Sequence, residues 1–151
     1  MMQESTAARE LLEAARRLLG LSLEDARSAL GGASHTVPGD EYGKLQDLTS
    51  IQASGRFAAT LYVEAREVRL VRIGPDGLNG VTASALRSQV KSEPVILRSR
   101  AGKLARMEVS AEEGVAFSSE GDCVHFVEVF EPCTLREYES RYYKSPDAFI
   151  R

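Results

Sequence analysis

"GVTASALRSQV" at residues 80–90 decides how this chain is read, because "GLSLEDARSAL" at residues 20–30 says nearly the same thing. Gly20/Gly80, Arg27/Arg87 and Ser28/Ser88 are identical, and Leu21/Val81, Ser22/Thr82 and Leu30/Val90 are alike in kind. In the first copy Ser22 can cap a helix, with Asp25 three residues on. Leu23, Ala26 and Leu30 then fall on one side, and Gly31-Gly32 ends the turn. In the second, Thr82 caps a helix over 82–90, and Ala83, Leu86 and Val90 take the equivalent places.

The segments after the two copies are also alike. Behind the first, "ASHTVPGDEYG" at 33–43 reads as a loop, since Pro38-Gly39-Asp40 favours a turn. Strand-like runs come next at 44–51, 56–65 and 67–73, and behind the second copy at 94–100, 103–111, 114–120 and 122–130. Gly43-Lys44-Leu45 returns as Gly102-Lys103-Leu104, and Val68, Val71 and Ile73 return as Val124, Val127 and Val129. "GPDGLNG" at 74–80, three glycines and a proline in seven residues, is the natural junction.

The expectation is an α+β fold of one domain over 1–151. Two helix-plus-meander repeats, 20–73 and 80–131, form one antiparallel sheet with helices on one face and the other face bare. A 60-residue unit alone makes a marginal core, so the two halves fuse. "EVRLVRI" at 67–73 and "CVHFVEVF" at 123–130 are apolar on both sides and belong at the centre of the sheet. Arg72 and Glu128, at matching places, either pair across the junction or line the open face.

The ends frame this unit. Residues 5–19 read as a helix capped by Ser5 or Thr6, with Leu11, Leu12, Ala15, Leu18 and Leu19 on one apolar face and Gly20 as its stop. In the tail over 134–151, Thr134 caps a short helix on which Leu135, Tyr138 and Tyr142 share a side.

The helix, the glycine-bearing loop and a meander ending in Val-x-x-Val-x-Val resemble the repeat of beta-lactamase inhibitory protein and of the SmpA/OmlA-type outer-membrane lipoproteins. That resemblance covers about residues 20–131 and implies a curved sheet whose concave face grips another protein. The chain departs from it in having no second helix in the repeat, no basic leader before its first apolar stretch and no lipidation cysteine near its start.

Composition narrows function. With 151 residues, 43% apolar, 27% charged and a net charge of −3, the chain has ordinary globular proportions and no overall attraction for nucleic acid. Cys123 and Cys133 form no disulfide framework or zinc pattern, and no run is apolar enough for a membrane span. A cytoplasmic location is expected, with no cofactor and no metal. Cys123 and His125, two apart on one strand, would share a face, but no orienting carboxylate is spelled beside them. "GPDGLNG" lacks both the P-loop ending and the dinucleotide spacing.

Charge is segregated along the chain. From Arg87 to Arg106 six basic residues face Glu93 alone, and from Glu108 to Glu139 nine acidic residues face Arg136 alone. The expected role is a non-catalytic inhibitor or immunity protein that neutralises a toxin or effector with a basic surface. Glu112, Glu113, Glu120 and Asp122 would supply the acidic interface, and Tyr138 and Tyr142 its aromatic anchors. The alternative is an acidic secretion chaperone or assembly adaptor for an extended client. The oligomeric state is left open, a homodimer being expected of the adaptor.

Overall fold

A computed structural model describes residues 2–30, 34–38, 49–53, 58–99 and 101–143. The chain folds as α1 (Met2–Leu18), α2 (Leu23–Leu30), β1 (Ser34–Pro38), β2 (Thr49–Ala53), β3 (Ala59–Glu64), β4 (Glu67–Ile73), α3 (Pro75–Leu78), α4 (Ala83–Arg87), β5 (Val95–Arg98), β6 (Arg106–Ser110), β7 (Val115–Glu120), β8 (Cys123–Phe130) and α5 (Leu135–Arg141). A single 3-10 turn, Ala111–Glu113, links β6 to β7.

The eight strands form one antiparallel sheet in the order β1-β2-β3-β4-β8-β7-β6-β5. The class is therefore α+β. Two four-stranded meanders meet where β4 pairs with β8, and Arg72 lies opposite Glu128 in that central register. As expected from their apolar character, β4 and β8 are the inner strands. Each outer neighbour carries a register shift, between Tyr62 and Val63 in β3·β4 and between Ser118 and Ser119 in β7·β8. The extra residues are Arg69 and His125.

Helix propensity and an apolar stripe build α1. Ala8, Leu12, Ala15 and Leu18 are buried on its inner side, and it packs on β4, β8 and α4. Both repeated phrases open helices in the same way. The Ser22 hydroxyl accepts from the Asp25 amide at 3.1 Å, and the Thr82 hydroxyl accepts from the Ala85 amide at 3.1 Å. Side chains of α1, α2, α3 and α4 join Leu61, Val63, Val68, Val71, Ile73, Val115, Phe117, Val127 and Val129 in one core on one face of the sheet.

The opposite face is not bare. Here α5 lies across it, and Tyr138 and Tyr142 complete a second core with Tyr62, Leu70, Met107, Val109, Phe126 and Phe130. The reason is local: Thr134 and Glu137 form a reciprocal capping box that starts α5 immediately after β8, folding the tail back onto the sheet. The expectation of helices on one face only is corrected by this element.

Three other expectations shift. The segment read as a loop at 33–43 contains β1, whose Pro38 occupies the last position of an edge strand, where no inner ladder bond is lost. "GPDGLNG" contains α3, with Pro75 at the first helical position and Asn79 closing it in the left-handed region at φ 49°. And α1 begins at Met2, upstream of the proposed caps Ser5 and Thr6. The Gly43-Lys44-Leu45 match, the Gly31-Gly32 stop, the start of the 44–51 run and the tail beyond 143 lie outside the described residues.

Candidate functional site

Large apolar side chains that remain in water are rare enough here to locate a surface. Among the described residues the exposed ones are Val95 at 40%, Ile96 at 51% and Leu104 at 76%, and all three belong to the β5–β6 hairpin. The cause is topological. As the last strand of the sheet, β5 has no neighbour on its outer side among the described residues, and α4 ends at Arg87 before it can cover this corner. Leu104 sits in the tight turn that leads into β6, so no layer reaches it.

On the helical side of the sheet Ile96 and Leu104 border a cleft of about 500 Å³, while Val95, opposite Val109 in the ladder, lies on the other face. Ile96 and Leu104 form its apolar part, Arg87, Arg106 and Glu108 its charged part, and Ser119 and Gly121 the remainder. Its volume lies within the range of recognition pockets. A second depression, of about 210 Å³ beside Thr60, Arg72 and Asp76, is smaller than that range.

One fixed ion pair builds the floor. Glu108 is buried on β6 and accepts from Arg87 Nε at 2.8 and 3.0 Å and from Arg87 Nη2 at 2.6 Å. That two-pronged contact holds the arginine at the end of α4 against the sheet. The hydrogen bonds to Glu108 raise the Arg87 guanidinium above the ordinary arginine value, and Glu108 and Asp122 add attraction against the cost of burial. Around this neutralised pair the rim is basic. Arg98 and Arg106 are directly opposed across β5 and β6, both exposed, and Lys103 precedes Leu104 in the turn. Arg106 and Lys103 form no ion pair among the described residues.

The residues expected at the interface are placed otherwise. Glu112 and Glu113 lie at one end of β7, and Glu120 and Asp122 at the other. At about 3.3 Å per residue, the two pairs are some 20 Å apart and do not make one patch. Two of the four also have work inside the fold. Glu113 accepts from the Lys91 and Ser92 amides and from the Ser92 hydroxyl at 2.6 Å. Burial opposes its charge, but those bonds outweigh it and lower its pKa. Asp122 accepts from the Ser84 hydroxyl at 2.7 Å and the Ser84 amide at 2.8 Å, tying the β7–β8 turn to the start of α4, and both bonds lower its pKa. Glu112 and Glu120 are exposed.

The two tyrosines are core residues, which corrects their reading as surface anchors. Tyr138 is 0% exposed and Tyr142 is buried with it, their rings 5.1 Å from that of Phe130. The Tyr138 hydroxyl donates to the buried Glu128 at 2.6 Å. Burial pushes the Tyr142 phenol upward in pKa.

For chemistry, Cys123 and His125 do not form a pair. His125 is the bulged residue of β8, so the strict alternation that would put the two on one face is interrupted there. Burial raises the Cys133 thiol. Among the described residues no three His, Cys, Asp or Glu side chains gather as a metal-ligand group, and no helix is long and apolar enough to cross a membrane.

Sequence reasoning missed Ile96, Leu104 and the Arg87–Glu108 pair. A leucine in a Gly-Lys-Leu turn was the available signal, because turns seldom hold large apolar residues without a use for them. The chain matches no family model, no curated protein and no solved structure.

Proposed function

We propose that this chain is a protein-binding module, an inhibitor or immunity protein that neutralises a toxin or effector rather than an enzyme. The observation that carries the reading is the exposure of Ile96 and Leu104 on a single hairpin, both lining a basic-rimmed cleft. Apolar side chains left in water at one corner of an otherwise well-packed domain mark a contact surface. The partner's contacting surface is acidic on this reading, opposite in sign to the one expected from the acidic block.

We also read the fold as two copies of one helix-plus-meander unit. In its favour, the register shifts in the two hairpins fall at positions 56 apart, and the two helix caps fall 60 apart. Arg72 and Glu128, also 56 apart, pair with each other at the centre, as residues on a pseudo-twofold axis must. The resemblance to the inhibitory-protein repeat rests on the same pattern.

A second reading, a secretion chaperone or adaptor, is favoured by the open edge of β5, which suits an extended client. The test is co-purification from the native cell with wild-type protein and with the Ile96→Asp, Leu104→Asp double variant. A stoichiometric partner whose toxic activity is suppressed by wild type alone is the expected result. Equal capture by both proteins removes the hairpin from the interface. A partner held unfolded, by a dimeric wild-type protein, selects the adaptor.

A further inference from the structure

Resting on the reading of this chain as a protein-binding module, we propose that the outer edge of β5 takes up an extended acidic segment of the partner as a ninth strand. The added strand would carry an apolar side chain into the Ile96–Leu104 cleft and a carboxylate, two residues along, to Arg98 and Arg106.

Three independent features converge on this mode. First, β5 ends the sheet with its outer backbone groups unpaired by any described strand. Edge strands in natural folds are guarded by charge, proline or cover. Here Pro94 stands just before the strand, and Val95 and Ile96, within the strand, are exposed. Second, side chains alternate along a strand, so Ile96 and Arg98 point to the helical face about 7 Å apart. Any added strand presents its own side chains to that face with the same period. The sequence it must offer is therefore apolar, any residue, acidic.

Third, Arg106, directly opposite Arg98 in the β5–β6 ladder, forms no ion pair among the described residues. An incoming carboxylate supplies Arg106 with a partner, and a lysine in its place adds a like charge beside the two arginines. Arg87 does not compete for the carboxylate, since Glu108 already holds it.

The probe is a short capped peptide alternating valine and glutamate, titrated against the full chain and followed by amide signals of 95–98. Three companions are titrated beside it: the valine–lysine peptide, the glutamate peptide N-methylated at alternate amides, and the glutamate peptide with Arg106→Glu protein. Expected are slowed amide exchange along β5 with the glutamate peptide, at least tenfold weaker binding for the lysine peptide and for the variant, and loss of binding on N-methylation. If the N-methylated peptide binds equally well, strand addition is wrong while the protein-binding reading stands. Equal binding of the lysine peptide overturns the acidic requirement. No binding of any peptide, with the cellular partner still captured through Ile96 and Leu104, overturns the inference alone. A dimer by light scattering with β5 amides already protected assigns the edge to a second copy and overturns it too.

Discussion

Removing one oxygen from Tyr138 tests the second core most cleanly. The Tyr138 hydroxyl donates at 2.6 Å to Glu128, which is 3% exposed and sits on β8 at the centre of the sheet. Tyr138→Phe keeps the ring that packs on Phe130 and deletes only this donor. Taking one donor away from a buried acceptor costs about 1–3 kcal/mol, and Glu128 keeps its other contacts. For a domain of this size each kcal/mol moves Tm by about 2–4 °C, so a fall of about 2–12 °C is expected. Tyr138→Ala removes the ring as well and adds a cavity beneath α5, with a total cost of about 3–5 kcal/mol. Urea denaturation followed by far-ultraviolet circular dichroism measures both against wild type, with the m-value checking that the unfolded states match. A Tyr138→Phe protein within about 0.5 kcal/mol of wild type would refute the buried bond. If the alanine variant were no worse than the phenylalanine variant, α5 would not be packed on the sheet.

The same contacts lead to three further outcomes. Gly114 closes the 3-10 turn at φ +71°, and a Cβ there would lie on the Phe130 carbonyl oxygen, so Gly114→Ala should cost about 2–4 kcal/mol in the same assay. A loss below about 1 kcal/mol would show that the backbones of the β7 start and the β8 end are not in contact. Arg87→Met strands the buried Glu108, but the arginine side chain is half exposed, which limits the cost to about 1–2 kcal/mol. Glu108→Gln in that background should recover part of the loss, and an unchanged stability in the single variant would contradict the pair. The third concerns pH. Glu113 and Asp122 have folded-state pKa values below their unfolded ones. The stability they contribute is thus present above the ordinary carboxylate range and is lost as pH falls through the depressed folded values. Amide signals of Ser84, Lys91 and Ser92 should titrate below that range, and midpoints at or above it would contradict these carboxylate–amide bonds.

Much of the architecture was legible because it arises from local chemistry. The caps at Ser22, Thr82 and Thr134 announce their helices, and continuous apolar runs announce β4 and β8 as inner strands. What escaped was set by tertiary context. Ser34–Pro38 has no apolar alternation, and only pairing with β2 makes it a strand. The side of the sheet covered by α5 depends on the turn between Phe130 and Thr134, and periodicity carries no such information. The candidate site was hardest of all. Charge summed along the chain suggested one acidic face, yet β7 separates those carboxylates, and the fold uses Asp122 to hold the start of α4 and Glu113 to hold the loop after it. The corner at Ile96 and Leu104 exists because α4 stops at Arg87 while the sheet continues past it, and a one-dimensional pattern does not register where cover ends.

Amide hydrogen exchange across the sheet, on the protein alone and at low concentration, speaks most directly to the idea that β5 is an open receptor edge. Slow exchange at 70–73 and 127–130, with fast exchange at alternate amides of 95–98, is the outcome expected of a strand bonded on one side only. Uniform protection of all four β5 amides would mean that something in the chain itself already occupies the edge, and the binding account would fail with it.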